Sequence, residues 1–143
     1  GITDANDMGS AMAPAACDTI TMHFTEAGLA HNYYDMVVTG DLGTHGKNIC
    51  KQLLEENGIL IQDILDDCGT MIYDTTVQKT DCGGSGCACS AVILTGYLLE
   101  KLSKKDLNKV LLVCTGALHS PSAIQQGESI PAIAHAVGIE MIP

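Results

Sequence analysis

The run Gly83-Gly84-Ser85-Gly86, leading into Cys87-Ala88-Cys89-Ser90-Ala91, is where side-chain type and spacing speak most directly of chemistry. Glycines ahead of a helix leave main-chain N–H groups free to face an anion, and the helix dipole adds to that attraction. Ser85 could cap the helix or donate to a ligand. No Gly-Lys-Ser/Thr follows, so this is not a nucleotide P-loop. The same glycines also suit a helix start packed tightly against another backbone, and the two readings are compatible. A second polar turn, Gln125-Gln126-Gly127-Glu128-Ser129-Ile130-Pro131, precedes the last apolar segment. Such a loop either carries binding groups or is an ordinary connection.

Sulfur and imidazole chemistry are less well supported. Cys82, Cys87 and Cys89 form a CxxxxCxC pattern without the matching second pair that a structural zinc site uses. Cys68 and His119 are the only further ligands to suggest themselves, and Cys87 and Cys89 would point to different faces of one helix. Packing of small apolar thiols is the preferred reading. The histidines, His23, His31, His45, His119 and His135, fall in no HExxH pattern. A Ser129–His135–Asp41 triad can be imagined, but the spacing does not select it and GxSxG is absent.

Elements of an α/β domain must position these groups. An apolar-periodic helix is expected from Met8 to Ala27, capped by Asn6 or Asp7 and stopped at Gly28, with Met12, Ala15, Ala16, Thr19, Ile20 and His23 near one face. Tyr34 to Thr39 reads as a buried strand ending in the loop Gly40-Asp41-Leu42-Gly43. An amphipathic helix over 46–57 follows through Ile49, Cys50, Leu53 and Leu54, giving the half-step of a parallel sheet. Ile59 to Leu65 fits a strand or a helical turn, Met71 to Tyr73 a short strand, and 74–82 a polar loop. The glycine turn at 83–86 should open a helix reaching Ser103. Strands are expected at 110–115 and from Ile130 to Ile142, the last near a sheet edge. No repeat or linker divides the chain, so one domain is expected.

Composition narrows the partners. The chain has 143 residues and a formal net charge of -10, with seven basic residues against seventeen acidic. Nucleic acid needs clustered Lys and Arg, and the one basic cluster, Lys101, Lys104 and Lys105, sits at a helix end where cations suit the dipole. An acidic surface could attract cations such as calcium. With one Phe and no Trp, the core must be built from Ala, Val, Ile, Leu, Met and Cys. Seven cysteines without a signal peptide or a membrane-length apolar run read as reduced thiols in an intracellular protein. The chain opens at Gly1 without Met, which reads as a fragment or a processed piece.

Long segments of the chain resemble a known family. NDMGSAMAPAA (6–16), YDMVVTGDLGTHG (34–46), DDCGTMIYD (66–74), GGSGCACSA (83–91) and TGALHSPSAIQQGESIPAIAHAV (115–137) are similar to the stage V sporulation protein AD family, over nearly the whole chain. The resemblance implies the thiolase-like fold shared with 3-oxoacyl-carrier-protein synthases, built of two pseudo-equivalent halves. This chain resembles the second half: a mixed sheet of four or five strands with helices on both faces, whose first strand would lie upstream of Gly1.

The resemblance also implies a role. Members of the family bind dipicolinic acid (pyridine-2,6-dicarboxylate), which accumulates in the spore as a calcium chelate, and act with membrane proteins of the same operon in moving it. On that analogy Ser129 is the residue assigned to the ligand, with the 83–86 helix start (Gly83, Gly84, Ser85) and Asp41 beside it and the rest of the pocket in the other half. A protein of this kind would work inside a spore-forming bacterium, peripheral at the spore inner membrane. Initiating ketoacyl synthases carry a His and an Asn where this chain reads Gly40-Asp41-Leu42-Gly43 and Gly83-Gly84-Ser85. Glycine can neither polarise a thioester carbonyl nor move a proton, so no condensing activity, no cofactor and no metal site are expected. Two alternatives stand beside this reading: an acyl-transfer enzyme, or a scaffold for a spore membrane complex. The small side chains around Ala88 suit close packing against another half, so the isolated chain should associate as a homodimer.

Overall fold

The computed structural model describes residues 1–142 as an α/β fold. Helix α1 (Met8–Glu26) is followed by strand β1 (Met36–Thr39), helix α2 (Gly43–Glu56), strand β2 (Leu65–Asp67) and the single-turn helix α3 (Cys68–Met71). A continuous helical rod comes next, made of α4 (Cys89–Ile93), a π-helical turn (Leu94–Leu98) and α5 (Leu99–Ser103). Strand β3 (Lys109–Ala117), short helix α6 (Pro121–Gln125) and strand β4 (Ala132–Glu140) complete the order.

The four strands form one mixed sheet in the order β2–β1–β3–β4. β1 runs parallel to both β2 and β3, whereas β4 is antiparallel to β3, with Lys109 opposite Glu140 and Ala117 opposite Ala132. The period-two alternation of strands then divides the core. Val37, Leu111, Val113 and Ala134 face Met12, Ala16, Ile20 and Phe24 of α1 and Cys50 and Leu54 of α2. Val38, Val110 and Leu112 face Ile93, Leu98 and Leu102 of the rod. Helices therefore cover both faces of the sheet, as the sequence predicts.

Several expectations are corrected. Met71 to Tyr73 is not a strand: α3 occupies Cys68–Met71, because Asp67 accepts the Thr70 N–H at 3.2 Å and caps a helical turn there. The strand of that region is Leu65–Asp67, at the end of the ambiguous stretch. The rod begins at Cys89, not at the glycines, so Ser85 does not cap it; Ala88 holds the cap position without a side-chain bond. α2 starts at Gly43, three residues earlier than expected, and helix α6 was not anticipated. On α1 the buried stripe is Met12, Ala13, Ala16, Cys17, Ile20 and Phe24, rotated slightly from the predicted face, with Asp7 as its cap through the Ser10 N–H at 3.1 Å.

Two contacts bring these layers into register. α1 and α2 touch main chain to main chain: a Cβ on Gly46 would lie 2.9 Å from Gly9 Cα, and one on Gly9 would lie 2.7 Å from the Leu42 carbonyl oxygen. The entry to β1 is stitched to the entry to β3 by Asp35, whose Oδ2 accepts the N–H groups of Asn108 at 2.6 Å and Lys109 at 3.0 Å. Those two backbone bonds hold the Asp35 carboxyl below its ordinary pKa.

Two outcomes are expected. Gly46→Ala should destabilise the chain by about 1–3 kcal/mol through overpacking, whereas Gly96→Ala should be neutral or stabilise by about 0.5–1 kcal/mol, since a Cβ there meets nothing within 4 Å; urea midpoints with an unchanged slope measure both. The Asp35 contribution is present above the unfolded carboxylate pKa and is lost as pH falls through the depressed folded value. Asp35→Ala should therefore lower the urea midpoint at about pH 6 more than at about pH 3; an equal loss at both would show that its charge is immaterial.

Candidate functional site

The parallel strands end at one edge of the sheet, and the loops that leave them converge there. β1 is followed by α2 on one face, and the rod that precedes β3 lies on the other. The parallel strands β1 and β3 end side by side there, and the carboxyl edge of such strands is where open α/β sheets form clefts. Asp41 leaves β1 and Thr115 lies near the end of β3. Thr115 Oγ1 donates to Asp41 Oδ1 at 2.8 Å and accepts the Asp41 N–H at 3.1 Å. Asp41 Oδ2 accepts the Gly86 N–H at 3.0 Å. The loop after β1, the end of β3 and the glycine turn are thus joined by one carboxylate.

Two adjoining cavities open at this junction. One, of about 170 Å³, is lined by Asn6, Met8, Gly9, Met12, Asp41, Leu42, Gly43 and Cys82 to Ser85. The other, of about 210 Å³, shares Met8, Met12, Asp41 and Ser85 and adds Gly86, Cys87 and Thr115 to Ala117. Each is smaller than the roughly 300–1,000 Å³ of an ordinary small-molecule pocket.

The structure brings four of the five sequence-predicted residues to the first cavity: Asp41, Gly83, Gly84 and Ser85. Ser129 is not among the residues lining either cavity. It is exposed, against Gly1, where a Cβ on the glycine would lie 2.6 Å from Ser129 Cβ, and the next residue, Ile130, donates to the Ile2 carbonyl at 2.8 Å. Within the glycine turn, both readings hold in part. Gly84 N–H is taken by the Gly69 carbonyl at 2.7 Å and Gly86 N–H by Asp41, so these amides serve backbone packing. The Ser85 N–H has no partner among the described residues and remains available to a ligand, with the exposed Ser85 side chain beside it.

The residues that sequence reasoning passed over lie beneath this turn. Asp67, fully buried at the end of β2, accepts four hydrogen bonds: Oδ1 from Thr39 Oγ1 at 2.7 Å and Leu42 N–H at 2.8 Å, Oδ2 from Gly43 N–H at 3.0 Å and Thr70 N–H at 3.2 Å. Burial raises its pKa, opposed by these hydrogen bonds. Its neighbour Asp66 shifts the other way: burial would raise it, but the Asp67 N–H and the Lys47 ammonium at 3.0 Å bring it below the ordinary value. A pair of aspartates closing an apolar strand was the available signal, since a carboxylate entering a core requires several donors there.

None of the histidines lines either cavity. His23 bonds Tyr34 Oη at 2.8 Å and His45 lies 3.2 Å from Ser10 Oγ. Ser129, His135 and Asp41 are joined by no hydrogen bond among the described residues, so the triad geometry is not met. All seven cysteines are free, with Cys82 and Cys87 exposed and Cys89 buried. Burial pushes the thiol of Cys89 up to about 11 and that of Cys50 up to about 12, which keeps both protonated and poorly nucleophilic. Among the described residues no three His, Cys, Asp or Glu side chains converge as metal ligands. No described helix is long and apolar enough to cross a membrane.

Comparison with known proteins adds a second line of evidence. The family model described as stage V sporulation protein AD matches residues 1–140. Stage V sporulation protein AD of Bacillus subtilis (strain 168) is 51% identical over 140 residues, which cover 98% of this chain and 41% of that relative. The chain thus spans less than half the length of the curated relative it matches. Identity at this level over 98% of the chain, with the family model matching residues 1–140, shows that the chain belongs to the stage V sporulation protein AD family.

Proposed function

We propose that this chain forms part of a non-catalytic binding protein for dipicolinic acid, acting in its uptake into the developing spore. Family membership supports the sporulation role. The single observation that carries the binding reading is the make-up of the cleft. Where a condensing enzyme needs an imidazole and a carboxamide, the loops here offer Gly40 to Gly43 and Gly83 to Ser85, and bare main chain leaves room for a flat aromatic ligand. The Ser85 amide and hydroxyl would meet one carboxylate of the ligand; Ser129, which lines neither cavity in this chain, would meet the other only where the other half completes the pocket. The fold would be the thiolase-like second half, with the remainder of the pocket in the other half.

Asp41 sets a condition on this reading. Its carboxylate lines both cavities, and no Lys, Arg or His joins it there. A bare dianion would meet like charge, which is unfavourable at short range. A ligand carrying calcium would relieve that repulsion, because the cation takes carboxylate oxygens readily.

A second reading, a scaffold that docks protein partners, is favoured by the outer face of the helical rod. Ala88, Ala91, Val92, Thr95 and Leu99 recur at helical spacing and are all exposed. This face would receive a second copy of the chain, or spore-membrane partners at the inner membrane. The two roles are compatible.

Calorimetric titration of dipicolinate, with and without calcium, into the protein carrying this chain tests the binding role; Ser129→Ala should weaken binding by about tenfold, the loss expected for a hydrogen bond to a charged group. Unchanged affinity would remove Ser129 from the site, and turnover of an acyl thioester in place of binding would favour the enzyme. For association, light scattering of the chain should report a dimer that Ala88→Trp disrupts through overpacking. A stable monomer would count against it.

A further inference from the structure

The geometry points to Asp67 as the positioning residue of the cleft, holding the loop after β1 directly and the glycine turn at one remove through the Gly69 carbonyl. The inference rests on reading this cleft as the ligand site. Asp67 lines neither cavity, so any effect it has on a ligand must act through those loops.

Its carboxylate fixes the first loop by two bonds, to Leu42 N–H and Gly43 N–H, immediately after Asp41. The same carboxylate caps α3 through Thr70 N–H, which sets the orientation of the peptide at Gly69. The Gly69 carbonyl then takes the Gly84 N–H at 2.7 Å, immediately before Ser85. Asp41 and Ser85, the polar side chains that line both cavities, are thus each adjacent in sequence to a main-chain group that Asp67 controls.

The three segments are stacked with no side chain between them. A Cβ on Gly69 would lie 2.4 Å from the Gly84 oxygen and 2.8 Å from Asp67 Oδ2, and one on Gly83 would lie 2.4 Å from the Gly69 oxygen. Across the stack, a Cβ on Gly43 would lie 2.8 Å from the Cys82 oxygen, which also accepts the Thr44 N–H at 2.7 Å. Main chain against main chain has no rotamer with which to absorb a shift, so a displaced segment carries its neighbours with it. Four donors surround two carboxylate oxygens. Asparagine has the same shape, but its NH2 group would face two of those donors and could accept from neither.

Amide hydrogen exchange followed by NMR on the chain tests this, with dipicolinate as the probe ligand. In wild type, Gly43 and Gly84 should be protected. In Asp67→Asn both should exchange at least about tenfold faster while Leu111 and Val113 of β3 change far less, because the opening is local. Dipicolinate affinity, measured on the whole protein carrying this chain and the same substitution, below its melting temperature, should fall with them. Should Asp67→Asn not fold, Gly83→Ala carries the test: its Cβ would meet the Gly69 oxygen at 2.4 Å with no Asp67 atom among its nearest neighbours, so Gly84 should lose protection while Leu42 and Gly43 stay held by Asp67. Gly84 exchanging in wild type as fast as a free loop amide, or all amides accelerating together in the variants, would overturn the inference. Failure of wild type to take dipicolinate would instead sink the ligand reading, and the exchange comparison would still decide the role of Asp67.

Discussion

A single buried carboxylate organises the functional end of this molecule. Asp67 arrives at the end of β2 with no exposure and no cation beside it, yet four donors close around it. Its desolvation is offset only while all four remain in place, which makes the arrangement cooperative. The Asp66–Lys47 pair next to it is partly buried, with its ammonium 3.0 Å from the Asp66 carboxylate. The β1–α2 corner, the cap of α3 and the glycine turn all take their positions from this point.

Glycine and small side chains do the complementary work. The core contains one Phe, and its layers are drawn together by backbone contact at Gly9 and Gly46 and again at Gly69, Gly83 and Gly84. Close approach of this kind trades side-chain volume for precision of the main chain, and it explains why the cleft is walled by peptide groups. Three of the four amides in the glycine turn, those of Gly83, Gly84 and Gly86, are consumed in building it. A ligand there meets a surface already largely satisfied, with Ser85 as the open position.

The electrostatic character follows from the same construction. The chain is strongly acidic overall, and the cleft includes Asp41 braced by Thr115. No Lys, Arg or His lines either cavity. The exposed apolar face of the rod, from Ala91 to Leu99, lies outside both cavities.

Much of the architecture was legible in the chain itself. Hydrophobic period located α1, α2, the rod and the three longer strands, because burial on one face imposes 3.6- or two-residue spacing wherever an element is long enough to show it. Asp41 and the glycine turn were legible as a site because loops at strand ends are the natural place for chemistry. Other features depended on folding. Whether Met71 begins a strand or ends a helix turned on a cap from Asp67, and whether the glycines open a helix turned on Asp41 and Gly69 taking their amides first. Ser129 does not line the first cavity and lies against Gly1, a placement that no local pattern encodes. Local propensity and period are properties of neighbouring residues, and the chain carries them unaided. Which donor reaches which acceptor across 15 to 74 residues of separation is settled only when the sheet brings its strand ends together.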